Sequence, residues 1–288
     1  MSGCMRDKIP VSVIIMSRNE EKNIRKCVSS VLEFDEIFVV DSNSTDRTIP
    51  IAESLGAKVV NFTWNGKYPK KKQWCLENVP FSNDWVLYVD SDEVVTPKLA
   101  QEIREKISGN EDIAGYFVGY DYVFMNKTLK HGHQVFKLVL FNRRAGEFIE
   151  YDDLSAQNMG EVEGHYQPQI QGSTSILKNK MIHYDHDSIY DYFYRHNRYS
   201  DWEAIIRMKG AQPRESQPLF RRWQKKAFNA LPLKWLFAFI HSYFLKLGFM
   251  DGKAGFHFAI ARSMYYWQVE VKMIELRGQL SAAPTTDV

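Results

Sequence analysis

The sequence predicts an α/β fold, a mostly parallel central sheet flanked by helices, followed by a helical, amphipathic C-terminal extension. Three observations carry this. Over the first hundred residues, short apolar runs alternate with segments whose apolar residues recur at helical spacing. The run Trp85–Val89 is β-branched and aromatic with no internal charge, as a parallel strand covered on both faces requires, and it ends abruptly in Asp90, Asp92 and Glu93. From Ser188 onward the chain changes character, and aromatic and basic side chains crowd helical segments.

Taken in order, Val11 to Met16 reads as the first strand, closed by Ser17-Arg18-Asn19-Glu20-Glu21. Ile24, Cys27, Val28, Val31 and Leu32 then mark a helix over Lys22 to Leu32. Glu36 to Val40 is a second buried strand ending in Asp41-Ser-Asn-Ser-Thr-Asp46, where Ser44 or Thr45 is placed to cap a helix that Gly56 stops. Lys58 to Phe62 is a third strand, and Lys70 to Asn78 a helix leading into Trp85. This alternation is the signature of a parallel sheet with right-handed crossovers. A further helix begins near Thr96-Pro97. Beyond it, Ala114 to Val123 and Lys137 to Asn142 read as strands.

At 288 residues the chain is long enough for a large core. Its formal charge of +2 is too small to argue for nucleic acid as a partner. Cys4, Cys27 and Cys75 have neither paired nor metal-type spacing, and no export signal precedes the first strand, so a reducing, cytoplasmic setting is expected.

The loops at Asn19-Glu20, at Asp41 and at Asp90-Ser91-Asp92 all follow parallel strands and therefore open on one sheet edge, where ligands of such folds bind. Asp90 and Asp92 lie on one side if the chain stays extended. Their mutual repulsion would be relieved by a divalent cation holding a phosphate-bearing substrate. The competing reading is a solvated acidic turn ahead of the next helix. No glycine-rich phosphate loop is present, so the phosphates need another partner: a metal at Asp92 or one of Lys67, Lys70, Lys71 and Lys72, with Lys72 the choice and the others read as solvated helix-start charges. Asp41 is placed to accept hydrogen bonds from a ribose or base, or else caps a helix.

Jointly, the strand followed by Ser17-Arg18-Asn19-Glu20-Glu21, the strand followed by Asp41-Ser-Asn-Ser-Thr-Asp46, and Asp90-Ser91-Asp92 as a DxD motif make the first hundred residues resemble the inverting family 2 glycosyltransferases of Rossmann-like GT-A fold. The likeness is strongest to bacterial lipopolysaccharide-core and cell-surface glucosyltransferases and runs to about residue 275. It implies transfer of a hexose, glucose from a UDP-sugar, onto a glycan or lipid-linked acceptor. It implies that the loop at Asn19-Glu20 and Asp41 hold the nucleotide, that Asp90 lies near the ribose, and that Asp92 with His183 binds Mn²⁺ or Mg²⁺; Ser17, Ser91, Lys72 and Arg144 are read beside these as further candidate contacts to the nucleotide sugar. His183 follows a short strand and pairs an imidazole with a carboxylate, which suits Mn²⁺; it is otherwise a buried structural histidine, with His186 as a rival ligand.

The implied GT-A domain covers residues 1–187, with a nucleotide-sugar half over about 9–110 and an acceptor half over about 111–187. In the acceptor half, Arg143-Arg144 either braces the diphosphate or is surface charge. Inversion requires a carboxylate to take the acceptor's hydroxyl proton. Glu163 takes that role, with Glu161 and Asp153 as competitors. Related enzymes usually show a His-Glu pair here, and this chain writes Val162-Glu163.

Residues 188–280 form the helical region and 281–288 a disordered tail. The stretch Leu231–Gly248 is interrupted by Lys234, His241 and Lys246, so it does not span a bilayer. Basic residues interleaved with Trp and Phe describe a helix lying in a lipid interface, peripheral on the inner face of the cytoplasmic membrane; packing on the catalytic domain or on a second copy in a homodimer is the alternative. Two other functions compete: a sugar-1-phosphate nucleotidyltransferase, which needs a glycine-rich loop after the first strand, and a non-enzymatic scaffold with vestigial acids.

Overall fold

The computed structural model describes residues 7–109, 112–156, 159–162, 167–184, 188–210 and 233–282. In chain order these form β1 (Ile9–Ser17), α1 (Ile24–Ser30), β2 (Phe34–Asp41), α2 (Thr48–Ser54), β3 (Lys58–Asn61), α3 (Lys71–Asn78), β4 (Trp85–Asp90), β5 (Glu93–Val94), α4 (Pro97–Ile107), β6 (Ile113–Phe124), β7 (Lys127–Thr128), β8 (Phe136–Asn142), β9 (Gly146–Glu147), β10 (Gln169–Ile170) and β11 (Ser173–Tyr184). The helices α5 (Ile189–Lys209), α6 (Lys234–Ile240) and α7 (Gly252–Ala282) follow. A π-helical turn, His241–Leu245, and a 3₁₀ turn, Gly248–Asp251, join the last two.

Eight strands lie side by side in the order β3-β2-β1-β4-β8-β6-β11-β5. From β3 to β4 all pairings are parallel, and β1 sits between β2 and β4 with Val13, Ile14 and Ile15 fully buried. An uninterrupted apolar run is what such a two-faced position selects. Beyond β4 the sheet becomes mixed: β8 runs antiparallel to both β4 and β6, β11 is parallel to β6, and β5 is antiparallel to β11.

Local chemistry explains most boundaries. Thr96 caps α4 by accepting the Leu99 N–H, with Pro97 at the first helical position. Gly56, at φ +83°, ends α2 as expected. Neither Ser44 nor Thr45 caps that helix, which starts at Thr48 behind Arg47. Their polar groups are drawn to Asp41 and Asn19 instead. Helix α7 runs on through Ala282, past the expected start of the tail, and 283–288 lie outside the described residues.

The chain divides into two compact units. The first comprises Met1–Val123, Gln134–Ile149 and Tyr166–His186 and contains the sheet. The second comprises Phe124–His133, Glu150–His165 and Asp187–Val288. Two excursions of the chain before residue 187 thus group with the helices that follow it. Within the second unit, Phe124 packs edge-on against Tyr192 and Phe258, and Asp251 accepts the N–H groups of Lys130 and His131. Among the described residues, no helix is long and apolar enough to cross a membrane.

Candidate active site

At the carboxyl edge of β4 the chain does not stay extended. Ser91 and Asp92 form a turn, closed by Glu93, whose Oε2 accepts the Asp90 N–H at 3.0 Å. Ser91 and Glu93 turn inward, with Glu93 only 1% exposed, while Asp90 remains 42% exposed. Pairing of β5 with β11 places His183 opposite Glu93, and the Tyr184 N–H donates to the Asp92 carbonyl at 2.8 Å. This fixes the His183 Nε2 at 3.6 Å from the Asp92 carboxylate. The His183 ring lies against Tyr122, with centroids 5.0 Å apart.

The expected cation-relieved repulsion has a different partner for Asp90. Lys137, at the start of β8, places its Nζ 3.0 Å from Asp90 and 2.8 Å from Glu93. Burial would raise the Asp90 carboxyl, but Lys137 and then Lys72 outweigh it and hold it well below the usual range. Burial pushes Glu93 up from 4.5 to about 7, Lys137 pulling against it and Asp90 adding to it. The lysine itself is raised well above its ordinary value, because the two acids outweigh its burial. Sequence reading missed Lys137. Its only signal was register: Leu87 opposite Leu140 in an antiparallel pair continues to Asp90 opposite Lys137.

The same antiparallel direction displaces Arg144. Asn142 lies opposite Trp85, the first residue of β4, so Arg143 and Arg144 sit at the other edge of the sheet, about 16 Å from Asp90 at some 3.3 Å per residue. There Arg144 pairs with Asp84 at 2.8 Å. Arg144 therefore does not stand beside Asp90.

The β1 and β2 loops are tied to each other. Asn19, at φ 56°, receives the Thr45 N–H on its Oδ1 and donates its own N–H to the Ser44 hydroxyl. Glu20 donates its N–H to Thr48, and its carboxylate accepts from Asn23. Asp41 is fully buried, its oxygens accepting from the Ser17 hydroxyl at 2.8 Å and from the Ser44 N–H and hydroxyl. Asp41 thus braces the loops, and direct contact with a ribose or base would require the Ser44 loop to move. Lys70 and Lys71 are buried, contrary to expectation; Lys71 donates to the Ser17 carbonyl and the Ser42 hydroxyl. Lys72 is half-buried, its Nζ 5.8 Å from the Phe148 ring centre.

Of the three candidate bases, Glu163 lies outside the described residues, as do His165 and His186. Glu161 is half-buried in a turn of the second unit. Asp153, in the same unit, is fully buried and accepts the Trp202 indole N–H at 2.7 Å. In that geometry Asp153 serves as a buried acceptor for the Trp202 indole.

Among the described residues, no three His, Cys, Asp or Glu side chains are grouped as a metal cage. Asp92 and His183 nevertheless fit an ion that draws its other donors from substrate and water: one hard oxygen and one imidazole nitrogen face each other, both partly exposed. The other ring nitrogen, Nδ1, is buried without a hydrogen-bond partner among the described residues, so nothing on that side fixes the tautomer that would block Nε2.

Residues 12–166 match the family described as Glycosyl transferase family 2. An uncharacterized glycosyltransferase of Rickettsia felis is 25% identical over 96% of this chain and 95% of its own length. The lipopolysaccharide core biosynthesis glycosyltransferase LpsC of Rhizobium meliloti is 27% identical over 98% of each chain. The mannosyltransferase PcManGT from Pyrobaculum calidifontis, solved in complex with GDP-Man and Mn²⁺, superposes with a TM-score of 0.51 at 14% identity, covering 93% of this chain and 87% of its own. That last likeness is one of fold, the GT-A arrangement expected from the sequence.

Proposed function

Because this chain belongs to glycosyl transferase family 2, we propose that it transfers a hexose, glucose from a UDP-sugar, with inversion and with the help of Mn²⁺ or Mg²⁺, onto a glycan or lipid-linked acceptor of the cell surface. Membership replaces the nucleotidyltransferase and scaffold alternatives with a glycosyltransferase enzyme. The name of the Rhizobium relative supports an envelope glycan as the acceptor.

The observation that carries the reading is the Asp92–His183 pair beside Lys137, at the carboxyl edge of a parallel sheet. Asp92 and His183 would hold the cation, which when bound supplies Lewis acidity and charge to the departing diphosphate. Lys137 and Lys72 hold Asp90 ionised, so that it can accept a hydroxyl of the donor. The tied loops at Asn19-Glu20 and Asp41, with Ser17 and Ser91 behind them, form the nucleotide side. Glu163, with Glu161 as its competitor, is the base. As the acceptor oxygen bonds to the anomeric carbon and the bond to the diphosphate breaks, the base takes the hydroxyl proton, a contribution of roughly 10²–10⁴-fold.

The test is release of nucleoside diphosphate from UDP-, GDP- and dTDP-sugars, with Mn²⁺, Mg²⁺ or EDTA. Metal-dependent release greatest from UDP-glucose is expected. Equal release in EDTA, or a clear preference for GDP- or dTDP-sugars, would refute the metal or the donor respectively.

A further inference from the structure

The second unit carries a segment whose polarity is inverted. Between α6 and α7 the chain turns through His241–Leu245 and Gly248–Asp251. Its polar side chains face inward. Ser242 is buried and its hydroxyl accepts the His133 N–H at 3.3 Å, while Asp251 is 4% exposed and accepts the N–H groups of Lys130 and His131 at 3.0 and 2.8 Å. Its apolar side chains face outward: Phe244, Leu245, Leu247, Phe249 and Met250 are all exposed, Leu245 to 64%. A surface bend in water normally shows the reverse.

The bend is firmly built. Gly132 donates its N–H to the Lys246 carbonyl at 2.7 Å, and Lys127 donates to the Asp251 carbonyl at 2.7 Å. Gly248 and Gly255 pack so closely that a Cβ on Gly255 would lie 2.0 Å from the Gly248 carbonyl oxygen. Leu247 adopts φ 58°, a conformation unfavourable for a branched side chain, and yet presents that side chain outward. These constraints hold five apolar side chains in view of the solvent, an arrangement that is stabilising only where the surroundings are apolar.

Charge narrows the occupant. The exposed charged residues of the bend and its flank are Lys246 and Lys253, and the acid, Asp251, is turned inward. Apolar side chains interleaved with cations and backed by inward polar groups match the boundary between the headgroups and acyl chains of an anionic bilayer. We propose that this bend, 241–253, inserts into an anionic membrane surface and anchors the protein there without spanning the bilayer. The bend overlaps Leu231–Gly248, the stretch expected to lie in a lipid interface: Phe244, Leu245 and Leu247 belong to it, and α6 adds exposed Leu236, Phe237 and Ile240. The proposal is independent of donor, acceptor and metal.

The full chain, without substrates, is floated with vesicles of phosphatidylcholine alone and of phosphatidylcholine with added phosphatidylglycerol. The wild type is expected to float with the anionic vesicles and much less with the neutral ones. Phe244→Ser/Leu245→Ser/Phe249→Ser, which alters only exposed positions and should melt within a few degrees of the wild type, is expected to lose binding by well over tenfold, about tenfold for each large apolar side chain withdrawn. Lys246→Glu/Lys253→Glu is expected to lose the preference for anionic lipid. Failure of the wild type to float, or flotation of the triple variant equal to the wild type, overturns the proposal. A wild-type dimer in sedimentation that the triple variant dissolves, with no vesicle binding by either, would assign the face to a second copy instead.

Discussion

Lys137→Met keeps most of the apolar stem of the side chain and removes its charge. In the native protein that charge lies 2.8 Å from Glu93, which is 1% exposed, and 3.0 Å from the more exposed Asp90. Stripping a buried carboxylate of its cation costs roughly 3–5 kcal/mol if the carboxylate stays charged. Glu93 has an escape, because burial already pushes its carboxyl from 4.5 to about 7 against the pull of Lys137. Without the lysine it rises further, and the group takes up a proton at neutral pH.

A carboxyl raised in the folded state contributes stability that is complete below its unfolded value and is lost as pH rises through the folded one. In the wild type that loss falls between pH 4.5 and about 7 and amounts to at most about 3 kcal/mol. In the variant the loss extends to higher pH and grows. The variant should therefore trail the wild type by only about 1 kcal/mol near pH 5, where Glu93 is neutral in both proteins, and by about 3 kcal/mol near pH 9. Thermal and urea unfolding of both proteins in EDTA, at these two pH values, measures the difference. Equal deficits at the two pH values, or none near pH 9, would refute the assignment of Lys137 as the counter-charge of Glu93.

Asp92→Ala should abolish transfer while leaving the melting curve within a few degrees of the wild type; near-normal turnover with added Mn²⁺ would contradict the metal assignment. Arg144→Ala should leave the transfer rate within about twofold, because its partner Asp84 lies at the far edge of the sheet and an exposed pair contributes at most about 1 kcal/mol. Asp153→Asn preserves an acceptor for Trp202 and should retain transfer within about threefold, whereas loss of a general base would show as roughly 10²–10⁴-fold. Glu36 accepts from Ser12, Ser82 and Lys58, and these bonds outweigh its burial to lower the carboxyl from 4.5 to about 2. Its contribution of up to about 3 kcal/mol is present above pH 4.5 and lost as pH falls through about 2, so Glu36→Gln should narrow the wild-type advantage in acid unfolding titrations.

The parallel half of the sheet was legible because a strand buried on both faces must be apolar throughout. Val13, Ile14 and Ile15 of β1, and Val86 to Val89 of β4, announce themselves without any tertiary information. The loops after β1, β2 and β4 were legible for a related reason: parallel strands joined by right-handed crossovers all point their carboxyl ends to one edge. Asp92 and His183 were named from motif and likeness, and the pairing of β5 with β11 brings them together.

The composition and period of a strand carry no sign for its direction, so nothing in Phe136–Asn142 said which end would stand beside Asp90. Antiparallel pairing sent Arg144 to the far edge and brought Lys137 to the acids. Burial is likewise collective: Asp41 and Asp153 are enclosed only when Ser17, Ser44 and Trp202 fold onto them. By itself the sequence determined the parallel core, the shared edge and the acids displayed on it, because these follow from local periodicity and handedness. Only the tertiary structure decided which charges neutralise one another and which apolar side chains face outward, because those outcomes depend on strand direction and on partners that lie on other elements of the chain.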